Sequence, residues 1–398
     1  MNETIPEWQD EPESLADATD ADDRRAYGRR RKLFFLALLL GTLSACLLCV
    51  VAVGAWTMFM RQPVTALPAV DALARAQPPH YLFSIFNVSQ PIGVGFSPDG
   101  ERIFVAESAG ERLVRVFTRE GKEMFSFAPP GTTAATRTPA YLAVAGDRVY
   151  VVDRMQHAIV IFDLFGKYVD TIYAPGQLLS AWVDANKGDK NLPPNRTAAH
   201  LVGDTSVRVL DAQGWQALAL PAPSHAEWRP LGVRVFDDTL YITDVTNKHQ
   251  RVITLDLNTL GPTRTFGHEG AAVDQFEFPN VAVVDALGRM IVSDGNNGRL
   301  VIVDDQDASF IFAKGTSEGA LALPGGMAID AESRLYVVDS VNQGVHVYDV
   351  SSPELRYLFA FGMDGAGAFN FPTDIALDAT GRLAISDTMN DRVQVWSY

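Results

Sequence analysis

Six times between residues 91 and 398 the chain repeats one pattern. A proline opens a short apolar stretch, a polar turn leads to a second stretch ending in an acid, and a polar loop leads to a third. The units read PIGVGFSPDGERIFVAESAGERLVRVF from Pro91, PAYLAVAGDRVYVVDRMQHAIVIFD from Pro139 and PLGVRVFDDTLYITDVTNKHQRVITLD from Pro230. The others are PNVAVVDALGRMIVSDGNNGRLVIVD from Pro279, PGGMAIDAESRLYVVDSVNQGVHVYD from Pro324 and PTDIALDATGRLAISDTMNDRVQVW from Pro372. Such repetition constrains the fold more than composition does, because a unit this small cannot bury its apolar face alone and must stack on its copies. Val, Ile, Tyr and Phe alternate with smaller or polar residues, and Gly and Asp mark the turns, which is a strand signature. A fourth apolar piece such as MFSFA, YVDTIYA, TRTFG or YLFAFG follows most units. Four strands in about 45–50 residues is the size of one propeller blade. The expected fold class is all-β, a β-propeller of four-stranded blades.

Three units are preceded by Phe-x-Phe-Pro or Leu-x-Leu-Pro, at Phe276/Phe278/Pro279, Leu321/Leu323/Pro324 and Phe369/Phe371/Pro372. Four second stretches end in D-x-x-N, at Asp244/Asn247, Asp294/Asn297, Asp339/Asn342 and Asp387/Asn390, and in two of them an arginine follows, Arg299 and Arg392. In these residues the chain resembles the NHL-repeat family of β-propellers over residues 80–398. The first unit departs, with Glu107 and Gly110 in the loop. The second has Asp153 and Gln156, but Ala158 stands where the family places arginine. The resemblance implies a propeller and says little about activity, since fold and function separate easily.

Successive unit prolines, at 91, 139, 230, 279, 324 and 372, are 48, 91, 49, 45 and 48 residues apart. The doubled interval leaves a blade's worth of chain between Asp163 and Pro230, with strand-like pieces QLLSAWVDA, AAHLVG, SVRVLD and WQALAL. A divergent seventh blade accounts for length and strands together, whereas an insertion on a six-bladed ring accounts for length alone, so seven blades are favoured over six. The last unit stops after its third strand. YLFSIF at 81–86 precedes the first blade with no partner of its own, and supplying the missing outer strand would close the ring.

Ahead of the repeats lie three further segments. Residues 1–32 form an acidic tail, expected to be disordered, that ends in a basic cluster with six Arg or Lys between Arg24 and Lys32. Leu33 to Met60 runs for 28 residues without a charge. As a helix it would be about 42 Å long, against a hydrocarbon core of about 30 Å. It is therefore expected to be one transmembrane helix acting as a signal-anchor. Basic residues before the span keep the tail cytoplasmic and place the C-terminal part outside, at the cell surface or in the periplasm. Leu43-Ser44-Ala45-Cys46 resembles a lipobox, but the run stays apolar after Cys46, so an uncleaved anchor fits better. Residues 61–79, with four prolines, form a linker to the propeller at 80–398.

The recurring acids are read as loop-holding groups, because a catalytic group is needed once and these recur. An Asp ending a strand accepts the amides of the following turn, Asn tolerates left-handed turns, and arginine clamps neighbouring loops. This assignment covers Asp153, Asp244, Asn247, Asp294, Asn297, Arg299, Asp339, Asn342, Asp387, Asn390 and Arg392. No catalytic, cofactor or metal residue is assigned: the seven histidines are scattered, and no H-E-x-x-H, phosphate loop or nucleophile elbow occurs. A net charge of −15 argues against nucleic acid as partner. Both cysteines, Cys46 and Cys49, sit in the apolar run, so no disulfide scaffold exists. The polar stretch 188–197 is a candidate binding loop, and sequons occur at Asn87 and Asn195. The expected function is a membrane-anchored, extracytoplasmic, non-catalytic binding or scaffolding module for a protein, peptide or envelope polymer. The alternative is an anchored metal-dependent hydrolase or lyase with its site in the propeller channel.

Overall fold

The computed structural model describes residues 77–185, 198–202, 206–211, 214–221, 228–365 and 367–398, together with Thr42, Cys46, Cys49, Val50 and Val51. The chain divides into two units, Met1–Ala74 and Arg75–Tyr398. In the first, the five described positions are helical with exposed side chains. The expected tail, the rest of the expected membrane helix and the loop 188–197 lie outside the described residues. Among the described residues no helix is long and apolar enough to cross a membrane.

The second unit is an all-β propeller of six blades. Each blade begins with an inner strand that starts on the repeat proline: Pro91–Phe96, Pro139–Ala145, Pro230–Phe236, Pro279–Val284, Pro324–Ile329 and Pro372–Leu377. The following strands pair antiparallel in chain order from the inside outward, as in blade 1 with Arg102–Glu107, Val114–Thr118 and Glu123–Phe127. Six apolar cores lie between neighbouring blades, filled by the β-branched and aromatic residues of the alternating pattern. Stacking of this kind covers both faces of the inner strands of each blade, and it is the main stabilising contribution.

Seven blades were expected and six are found. The inner strands of blades 2 and 3 pack directly on each other, and Ala143, Val152 and Ile161 of blade 2 share a core with Val233, Leu240 and Ile242 of blade 3. No further blade therefore stands between them. QLLSAWVDA forms a two-residue strand, Gln177–Leu178, on the outer edge of blade 2 and then a short helix, Leu179–Ala185. Ala198–Val202, Ser206–Asp211 and Gly214–Pro221 make a separate three-stranded antiparallel sheet. The misreading has a physical cause. Interval length and strand propensity report how much sheet-forming chain separates two blades, but not where that sheet packs.

Closure follows the expected route. His80–Phe86 pairs antiparallel with the third strand of blade 6, Arg392–Ser397, from His80 opposite Ser397 to Phe86 opposite Arg392. The Tyr81 ring meets Trp396 edge-on at 5.7 Å. The first strand of the ring thereby becomes the outer strand of its last blade, and no blade edge is left open there.

All six inner strands carry a register shift between their first and fourth residues, a bulge that re-aims the third side chain. That third position reads Gly93, Tyr141, Gly232, Val281, Gly326 and Asp374 around the ring, so glycine alternates with a side chain. The alternation is steric. A Cβ on Gly232 would lie 1.8 Å from Asn280 O, and one on Gly326 would lie 2.0 Å from Asp374 Oδ1. The odd-numbered blades give up their side chains so that the even-numbered ones can fill the axis.

Candidate functional site

The central channel has two mouths of different chemistry. One, the loop face, carries the loops after the second strands and the connectors that lead into each inner strand. The other, the turn face, carries the hairpin turns between first and second strands.

Between the mouths stands an ion pair. Arg234, the fifth residue of the inner strand of blade 3, meets Asp374 of blade 6, which is three blades away and so on the opposite wall. The guanidinium also donates to Val233 O (2.9 Å), Leu142 O (3.3 Å) and Met327 O (3.4 Å), and Asp374 Oδ2 accepts the Val94 amide (3.1 Å). The Tyr141 hydroxyl donates to Thr373 O at 3.3 Å beside them. Asp374 is fully buried, and burial pushes its carboxyl up to about 6 even with Arg234 beside it.

On the loop face the repeat acids are committed to backbone. Asp294 Oδ1 accepts the Glu277 amide (2.7 Å), and Oδ2 accepts from Asn297 Nδ2 (2.9 Å) and Arg299 Nε (2.7 Å). Arg299, wholly buried, donates onward to Ala271 O, Ala272 O and Gln275 O at 2.6–2.9 Å, tying loop to connector. Asp387 repeats this with the Asn370 amide, Asn390 and Arg392 (2.6 Å), and adds Gln394. Asp339 takes the amides of Ala322, Leu323 and Asn342 and the Asn342 side chain. Asp153, which lacks an arginine, accepts the Thr138, Met155 and Gln156 amides on Oδ1, and burial pushes its carboxyl up to about 6.

In blade 3 the arrangement differs from expectation. Asn247 is exposed, and Asp244 is served by Thr246 Oγ1 (2.6 Å) and Arg251 Nε (3.0 Å). Arg251 lies seven residues after the acid rather than five, because this loop is two residues longer. In blade 1, Glu107 takes the Ser89 amide and pairs with Arg115 (3.1 Å).

Several side chains on this face remain outside the fold's bonding. Val341, Met363, Phe371 and Met389 are 36–56% exposed, all on the loops and connector of blades 5 and 6. They are knit closely: Ser340 Oγ donates to Pro372 O, the Met389 amide donates to Asn370 O, and Met363 lies against Gly344. Phe371 is held at φ +53° immediately before Pro372, a left-handed conformation unusual for a bulky side chain.

The turn face opens into a cavity of about 530 Å³ walled by the inner strands of all six blades, including Val94, Leu142, Val283, Met327 and Ile375, with Arg234 at its floor. A second repeated motif rims it, which reading the loops alone overlooks although DALGR, DAESR and DATGR spell it out. Asp285 Oδ1 caps the Leu287 and Arg289 amides while Oδ2 takes Arg289 Nε (2.7 Å). Asp330 does the same with Arg334 (2.6 Å), and Asp378 caps Thr380 and Arg382. His346 is buried in blade 5 with neither ring nitrogen hydrogen-bonded, and burial holds it below its usual pKa. Among the described residues no group of three or more His, Cys, Asp or Glu is placed to hold a metal ion.

No family model matches the chain. A curated relative, "NHL repeat-containing protein 3" from Mus musculus, is 29% identical over 131 residues, which is 30% of this chain. The match spans 38% of the mouse protein's length. Among solved structures, a streptogramin B lyase aligns at 12% identity and TM-score 0.51, over 80% of this chain and 98% of its own. A catalytically inactive virginiamycin B lyase from Staphylococcus aureus with quinupristin aligns at 12% identity and TM-score 0.50, over 79% and 98%. At that identity the likeness is one of fold. The repeats are NHL-like and the fold is a β-propeller.

Proposed function

We propose that this NHL-like propeller is a membrane-held binding module, displayed outside the cytoplasm, whose loop face takes a protein, peptide or envelope polymer. The apolar group of Val341, Met363, Phe371 and Met389 carries the reading. Exposed apolar side chains set on rigid, hydrogen-bonded loops are a common mark of a protein-binding surface. Asp294, Asp339 and Asp387 hold that surface in place with the fold's own amides, which leaves them a positioning role rather than a chemical one. The apolar run 33–60 and the basic cluster before it support the anchor and its orientation. The net charge of −15 argues against nucleic acid as the partner.

The test is photo-crosslinking in intact cells from probes at Met389 and Met363, with Met124 on the outer strand of blade 1 as control. A discrete adduct from the first two positions and none from Met124 is the expected result. Identical patterns at all three would overturn the reading. Protease added outside the same cells should digest the propeller and spare residues 1–32.

A second reading, a metal-dependent hydrolase or lyase, draws support from the large channel cavity. It requires a stoichiometric metal in the purified protein, lost together with activity on chelation.

A further inference from the structure

We propose that the turn-face cavity is a second, separate binding site, for a small molecule with an apolar body and a single cationic end, of the aryl-alkylammonium type. The proposal stands apart from the loop-face reading, since it uses the other mouth and none of the same residues.

The walls dictate the body. A cavity of about 530 Å³ lined by inner strands is within the size range of small-ligand sites, and its side walls are aliphatic. Apolar surface buried there is favoured at about 25 cal/mol per Å². The floor excludes a charged end from going deep. Arg234 is neutralised by Asp374 and already donates to three carbonyls, so a charged group there would lose hydration for little return. The ligand's polar end therefore stays at the mouth.

The rim selects the sign. Asp285 and Asp330 are each closed by their own arginine four residues on, and Asp378 has Arg119 at 4.0 Å. What remains is acidic. Asp237 and Asp238 are exposed immediately beyond the lining residue Phe236, whereas Glu332, at 3.5 Å, shares the Arg334 guanidinium with Asp330. Phe236, 40% exposed, and Tyr241 add aromatic surface at the same mouth. Carboxylates beside aromatic faces attract an ammonium and repel a carboxylate.

The experiment uses full-length protein in nanodiscs, with empty nanodiscs as control, and titrates three water-soluble probes that share one body: 4-phenylbutylammonium, 4-phenylbutanol and 4-phenylbutyrate. The expected order is ammonium, alcohol, carboxylate, with about tenfold between the ends at low salt and less at high salt. Ala328→Trp, which fills the cavity, should abolish binding of all three. Asp237→Asn with Asp238→Asn changes exposed rim groups only, so folding is retained. It should bring ammonium and carboxylate within about threefold of each other while the alcohol is unchanged. Equal affinity for all three probes, no binding at millimolar concentration, or a rim variant with the wild-type preference would overturn the proposal.

Discussion

Arg234 and Asp374 rise from inner strands on opposite sides of the ring, 140 residues apart in sequence, and meet inside the channel. Their hydrogen bonds also reach Leu142 of blade 2, Met327 of blade 5 and Val94 of blade 1. One ion pair therefore touches five of the six blades.

Removing one partner should be costly. Arg234→Met leaves a buried carboxylate without its cation, and a loss of about 3–5 kcal/mol is expected. Arg234→Met combined with Asp374→Leu restores an apolar axis and should recover most of that loss. Urea denaturation of the two single variants and the double variant measures the coupling. Additive losses would show that the pair does not act as a unit.

The exception among the loop acids gives a pH prediction. Asp153 has no arginine, and its carboxyl sits at about 6 in the folded protein against 3.8 for an aspartate free in water. The native state thus holds its proton more tightly than the unfolded chain does. The stability it contributes is fully present below 3.8 and is lost as pH rises through 6. Asp153→Asn keeps an oxygen for the three amides that Oδ1 serves. A half-turn of the Gln156 side-chain amide, which in the wild type donates Nε2 to Oδ2, presents its unpaired Oε1 to the new amide. The variant should match or exceed wild type at pH 7.5, by at most about 3 kcal/mol, and the difference should be nearly gone by pH 4. A pH-independent difference in thermal midpoint would contradict this.

At Asp294 the same substitution should behave oppositely. Asp294→Asn leaves Arg299, wholly buried, with no compensating charge. A loss of about 3–5 kcal/mol at pH 7.5 is expected, measured under the conditions used for Asp153→Asn. Equal effects of the two variants would mean that the arginine contributes nothing.

The closing strand can be tested by deletion. Removing residues 80–86 exposes the apolar edge Val393–Trp396, so association or a large drop in thermal midpoint should follow. Removing residues 61–76 should leave the midpoint almost unchanged. Light scattering during melting distinguishes the outcomes.

Excising residues 198–221 tests the blade count. That sheet pairs with no strand of the six blades, so a short flexible linker in its place should leave a cooperative β-rich fold. Loss of the fold would mean that the sheet supports the ring.

The fold was legible because six units repeat one pattern and every repetition strengthens the same inference. Closure was legible too, since a unit lacking a strand and a strand lacking a unit have one economical solution. The blade count differs because the strands at 198–221 pair only with one another, while the inner strands of blades 2 and 3 are direct neighbours in the ring. Asn247 was assigned by spacing in a loop two residues longer than the others, where Thr246 and Arg251 take over. The channel pair went unseen because neither residue belongs to a motif. Its only trace is a single charge in each of two otherwise apolar strands, PLGVRVF and PTDIAL. The rim of the cavity was equally present in DALGR, DAESR and DATGR, but repeated turn acids look alike until the structure shows which ones an arginine has closed.

Because the ring is closed by its own first strand, that strand is also where any pull from upstream arrives. Tension on the preceding chain enters at His80, beside Ser397. With the other handle at Tyr398, the two loads act on neighbouring ends of an antiparallel pair, so the cross-strand hydrogen bonds open one by one from His80 toward Phe86. In a pulling experiment, the first yield should release the seven residues of this strand, an extension on the order of 20 Å, before any blade unravels. The clasp is the mechanical fuse of the propeller.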